Sequence, residues 1–66
     1  MREVRDNFGT LICKADDETG LMEHEYKKNR ISFTVLIGQQ FVIQRNNKRT
    51  TVVRTPEGFF ATSVAA

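Results

Sequence analysis

Apolar and polar residues alternate with a period of two through the middle of the chain. Ile31, Phe33, Val35 and Ile37 alternate with Arg30, Ser32, Thr34 and Leu36. After Gly38 the habit resumes, with Phe41 and Ile43 set against Val42 and Gln44, and it returns around Val52 and Val53 between Thr50 and Thr55. This spacing, enriched in Val, Ile, Thr and Phe, predicts strands, and short turns between them make an antiparallel meander. Three further stretches punctuate the chain as turns: Asp6-Asn7-Phe8-Gly9, Asp17-Glu18-Thr19-Gly20 and Thr55-Pro56-Glu57-Gly58. Each opens on a residue whose side chain bonds its own backbone and closes on a glycine suited to a left-handed bulge.

The strands expected between these turns are residues 2–6, 10–15, 21–27, 30–37, 41–45, 50–55 and 59–64. The segment Leu21–Lys27 also admits a short helix, because Glu23 and Lys27, and Met22 and Tyr26, have helical spacing. Gly20 is a poor helix start, however, and the pattern lasts barely two turns. The fold class is therefore all-β, a small antiparallel meander or SH3/OB-like barrel of about six to seven short strands.

Register follows from keeping apolar side chains on one face. A three-residue loop sets Ile37 opposite Phe41 and Val35 opposite Ile43. A four-residue loop around Asn46-Asn47 pairs Ile43 with Val52 and Arg45 with Thr50, whereas a tighter loop sets Arg45 against Lys48, two like charges. The expected core face is Ile31, Phe33, Val35, Ile37, Phe41, Ile43 and Val52. The opposite face, Ser32, Thr34, Leu36, Val42, Gln44, Thr51 and Val53, carries no charge, which predicts cover by the terminal strands in a barrel or by a partner.

Composition narrows the class. The 66 residues make one small β domain over 1–66, near the lower limit for folding on a single core. A core of that size leaves no room for a sizeable ligand pocket, which points away from an enzyme, and a homodimer would add buried area. A single cysteine, Cys13, excludes an internal disulfide framework and suggests a reducing compartment. No apolar run is long enough for a signal peptide or membrane span, so the expected setting is cytoplasmic.

The net charge of +2 conceals a strong asymmetry. Residues 1–25 carry seven acids against three bases, whereas residues 27–54 carry seven bases and no acid. In a meander alternate turns share an end, so Lys27, Lys28, Arg30, Arg45, Lys48 and Arg49 are expected together near Asn7. The acidic turn Asp16–Glu18 belongs at the far end with Gly38–Gln40. Six bases with Asn29, Asn46 and Asn47 as further donors suit a phosphate-binding rim, and Tyr26 and Phe8 are placed to stack on bases of DNA or RNA. The alternative is a protein-interaction module, an inhibitor or adaptor, that uses the neutral face and basic end against an acidic protein partner.

The order Val4-Arg5-Asp6, Gly9, Leu11-Ile12-Cys13-Lys14, Asp16 and Thr19-Gly20 resembles the opening of small uncharacterised proteins encoded on bacterial integrative and other mobile genetic elements. The resemblance covers about the first third of the chain. It implies a bacterial cytoplasmic setting on mobile DNA and a strand after Gly20, and it assigns no activity.

Other chemistry finds little footing. Cys13 and His24 are one thiol and one base without a third orienting group, and a lone strand cysteine ordinarily serves as a small hydrophobe. Asp16-Asp17-Glu18 lacks the spaced ligands of a cation loop and reads as a solvated turn. In Glu23-His24-Glu25 a strand places His24 on the side opposite both carboxylates, so the three do not converge on a metal and His24 reads as a surface residue. No catalytic residue, metal or cofactor is expected.

Overall fold

The computed structural model describes residues 1–45 and 47–65, apart from the side chain of Tyr26. The described chain forms β1 (Arg2–Arg5), β2 (Leu11–Ala15), β3 (Leu21–Tyr26), β4 (Asn29–Thr34), β5 (Gln40–Arg45), β6 (Lys48–Thr55) and β7 (Gly58–Ala65). The small antiparallel all-β fold is as expected, and Leu21–Tyr26 is a strand rather than a helix. The meander does not run unbroken, however. It splits into a four-stranded sheet in the order β1-β2-β3-β4 and a three-stranded sheet in the order β5-β6-β7.

The break lies at residues 35–39, where a continuous hairpin was expected. Val35 N–H donates to Gly20 O at 2.8 Å, extending the β3–β4 ladder by one residue. Gln39 N–H then closes a tight turn on Leu36 O, and Arg54 N–H donates to Gln39 O at 3.1 Å, so the chain has crossed to the second sheet. Ile37 therefore does not pair with Phe41, nor Val35 with Ile43. The hairpin after β5 is also tighter than expected. Ile43 faces Thr50 and Arg45 faces Lys48 directly, rather than Ile43 facing Val52 and Arg45 facing Thr50. The two-residue slip preserves the faces, so apolar patterning alone does not distinguish these registers. Asn46, half of that turn, lies outside the described residues.

The core consists of Val4, Ile12, Cys13, Ala15, Met22, Val35, Val52 and Phe59, with Phe41, Ile43 and Ala61 packed against it. Of the expected core face, Val35 and Val52 are buried and Phe41 and Ile43 pack against them, while the remaining core residues come from β1, β2, β3 and β7. Ile31, Phe33 and Ile37, expected inside, are 56%, 40% and 57% exposed. The uncharged opposite face is likewise uncovered by β1 or β7, with Leu36 and Val42 both exposed. A bulge explains why Ile12 and Cys13 are both buried: Val4 pairs with Cys13 but Arg5 with Leu11, so β2 carries one extra residue there.

Two polar clasps join the sheets. At one end Asp6 Oδ1 accepts from the amides of Phe8 and Thr10, both at 2.9 Å, while Oδ2 accepts from Ser63 Oγ at 2.6 Å. Ser63 has then used its only hydroxyl proton, so Thr50 Oγ1 donates to it, also at 2.6 Å. Ser63 N–H completes this clasp by donating to Asn7 Oδ1 at 2.7 Å. At the other end the Arg2 guanidinium grips Asp17 with two nitrogens and donates to Phe59 O at 2.6 Å. Asp17 Oδ1 also accepts from Phe59 N–H at 2.9 Å. Arg54, only 8% exposed, donates to the carbonyls of Val35 at 2.8 Å and Glu18 at 2.9 Å. The acidic turn therefore has a structural task beyond solvation: Asp16 caps it through the amides of Glu18 and Thr19, which frees Asp17 to reach across.

Gly20 has φ +84°, and a β-carbon there would overlap Arg54 Nη1 and Val35 O. Gly20→Ala is therefore expected to cost about 3 kcal/mol or more, combining left-handed backbone strain with loss of the Arg54 clasp. Chemical denaturation of the variant checks this.

Acid should weaken both clasps. Burial works against the charged form of Asp6, but the bonds from Ser63, Thr10 and Phe8, with Lys48 nearby, outweigh it and hold the carboxyl below its ordinary value. Asp17 is also held low, by Arg2 first and then by the Phe59 amide. Because both folded values lie below the unfolded one, their stabilisation is complete above about pH 5 and fades as pH falls below about 4. Urea midpoints at pH 7 and pH 3 should differ less for Asp6→Asn than for the parent chain.

Candidate binding surface

Only part of the basic group comes together. In the β5–β6 hairpin Arg45 and Lys48 lie directly opposite, and Gln44 lies opposite Arg49. Opposed residues share a face and neighbours alternate, so Arg45 and Lys48 continue the inner face past the core's rim while Arg49 emerges on the outer one. Lys48 Nζ sits 4.7 Å from the centre of the Phe8 ring, and Phe8 is 61% exposed. The expected meeting of this hairpin with the first turn near Asn7 is therefore present. Lys48 lies near enough to Asp6 to help hold that carboxylate ionised, although Asp6 itself is buried and bonded inward.

The turn after β3 behaves differently. Lys27 and Lys28 form a two-residue turn closed by the pair Tyr26–Asn29, with Lys27 at φ +58°. Arg30 faces Glu25 across the ladder and pairs with it at 3.4 Å. Lys27 and Arg30 also line a cleft of about 330 Å³ with Lys14, Glu23 and Glu25. Glu23 and Glu25, on the strand that leads into this turn, thus stand beside its bases. Asn29 instead shares a hollow with His24, Ile31, Ile43, Gln44 and Arg45, which connects the start of β4 to the end of β5. Tyr26 contributes its backbone to β3, and its side chain lies outside the described residues.

The cleft exists because β2 and β3 pair only at Lys14–Glu23 and Ala15–Met22. Beyond that point His24, half-buried rather than a plain surface residue, donates from Nδ1 to Ile12 O at 2.9 Å in place of the ladder. The β2 bulge is the local cause, since an extra residue puts the strand out of step with β3. Cys13 lies in the core, and burial pushes its thiol up to about 11, partly opposed by Arg2. At neutral pH it is a protonated hydrophobe rather than a nucleophile. Among the described residues no three His, Cys, Asp or Glu side chains are grouped to hold a metal ion, and no helix is long and apolar enough to cross a membrane. Compared with known families, curated proteins and solved structures, the chain matches none.

The inner rim is legible in sequence only as charge; that Phe8 supports Lys48 required the fold. Cys13 should resist alkylation by iodoacetamide at pH 7 in the native protein and react fully once urea unfolds it. Mass spectrometry of native and unfolded samples reads the difference, and rapid native labelling would contradict the burial.

Proposed function

We propose that the chain is a nucleic-acid-binding module of low sequence specificity whose contact surface is the β5–β6 hairpin tip with Phe8. The observation that carries this reading is Lys48 set against an exposed Phe8 ring, with Arg45 opposite it on the same face. Cations neutralise phosphates and release counterions, while an exposed ring offers a stacking platform to an unpaired base. Arg49 on the outer face, and Lys27 and Lys28 at the neighbouring turn, extend the positive field that draws a polyanion in. Arg30 contributes less than its charge implies, because Glu25 already engages it. Polar readout of base edges is not part of the proposal. The bacterial cytoplasmic setting and mobile-DNA association implied by the resemblance belong to the same reading.

A second reading, a protein-interaction module for an acidic partner, is favoured by Leu36, Val42 and Ile31, all more than half exposed. Salt separates the two, because phosphate contacts weaken steeply between low and moderate salt whereas an apolar interface persists.

Single- and double-stranded DNA and RNA should be titrated into the parent chain and the Lys48→Glu/Arg49→Glu variant at two salt concentrations. The double variant is expected to lose binding with little change in melting temperature, because exposed turn charges contribute little to folding. Neutralising one contacting base should lower the salt slope by about one. Absence of binding to all four polymers at low salt overturns the proposal, and binding that the double variant retains places the site elsewhere.

A further inference from the structure

The strand β4 ends the four-stranded sheet, and every residue from Asn29 to Thr34 is exposed. Its two large apolar side chains, Ile31 and Phe33, share the side that meets β5, where Phe33 packs edge-on against Phe41 with ring centres 5.3 Å apart. Natural edge strands are normally protected by lysine, proline or a bulge. β4 has none of these: its register with β3 is continuous from Thr34 to Asn29, and its only charge is Arg30, paired with Glu25 of its own hairpin.

The direction of its free backbone groups follows from one bond. Val35 N–H donates toward β3, to Gly20 O. Successive residues of a strand point their backbone groups to opposite sides, so Phe33 and Ile31 also face β3. Arg30, Ser32 and Thr34 consequently present their N–H and C=O groups outward, to no neighbouring strand.

We infer that β4 pairs antiparallel with β4 of a second copy of this chain, about a twofold axis through Ser32, joining two four-stranded sheets into one of eight. In that register Ser32 faces Ser32 of the second copy, Arg30 faces Thr34, and Ile31 faces Phe33. The outward groups of Arg30, Ser32 and Thr34 make the hydrogen-bonded pairs. Ile31 and Phe33 then fall in the non-bonded pairs, where side chains approach most closely, at about 4.5 Å between Cα atoms. A one-residue slip would oppose inward-pointing to outward-pointing backbone groups. A two-residue slip one way would set Ile31 on itself and Phe33 on Asn29; the other way would set Phe33 on itself and Ile31 on Val35, which lies beyond the end of β4 and is buried. Within β4 the Ser32-centred register alone matches apolar to apolar at both positions and opposes no like charges. This self-complementarity makes a second copy, rather than an unrelated strand, the occupant. The interface uses the backbone edge of β4, whereas nucleic acid is assigned to the neighbouring β5–β6 hairpin tip.

Sedimentation equilibrium across micromolar concentrations tests this, with two variants. Ser32→Lys leaves the β3–β4 bonds intact but places two ammonium groups face to face on the axis. It is expected to raise the dimer dissociation constant at least about tenfold with an unchanged circular dichroism spectrum. Ser32→Cys is expected to form a covalent dimer under mild oxidation, since paired Cα atoms at about 5.5 Å suit a disulfide. The buried Cys13 does not compete, and Thr62→Cys on β7 serves as the control. A parent chain that stays monomeric at every concentration overturns the inference. So does a Ser32→Lys protein that remains dimeric, or a Ser32→Cys protein that cross-links no better than the control.

Discussion

The guanidinium of Arg54 is the point on which the two sheets turn. No backbone ladder connects β4 to β5, so the crossing at residues 35–39 must be held by something else. Arg54 holds it from both sides: its backbone pairs with Gly38 and Gln39, and its side chain donates to the carbonyls of Val35 and Glu18. A planar fork of donors suits several carbonyls at once, which an ammonium on a flexible stem does not. The nearby Asp17 carboxylate offsets the buried charge. Gly20 is the complementary constraint, because only a residue without a β-carbon leaves the fork its space.

The Asp6–Ser63–Thr50 clasp does the same work at the opposite end, and with the Arg2–Phe59 bond it ties β1 and its following turn to β7. A core of so few side chains supplies little margin, and small domains generally need such staples. One seam of the molecule is thereby tied by side chains, while the other, between β4 and β5, is spanned by the Phe33–Phe41 contact. This asymmetry accounts for burial at Val4, Cys13 and Phe59 and exposure at Ile31 and Phe33. It also sets two surfaces side by side: a cationic hairpin tip with an aromatic platform, and a bare strand edge with apolar flanks.

What the sequence determined by itself was local. Period-two alternation marks the strands between Asn29 and Thr55, because the pleat turns successive side chains to opposite faces whatever lies beyond them, and turn residues delimit the others. Asp6, Asp16 and Thr55 each satisfy amides within a few residues, so turns are equally legible, although Asp16 caps the second turn in place of Asp17. The charge layout also survives, with acids at one end and the Arg45–Lys48 tip at the other. What only the tertiary structure decided was which face is covered, which strands pair, and which charges are neutralised. Alternation shows that a strand has two faces but not which one meets the core, so Ile31 and Cys13 read alike in sequence and end in opposite surroundings. The burial of Arg54 depends on strands brought together by the whole chain. Backbone sterics act between neighbours, whereas burial and charge pairing are set by residues distant in sequence that become adjacent only when the two sheets close on each other.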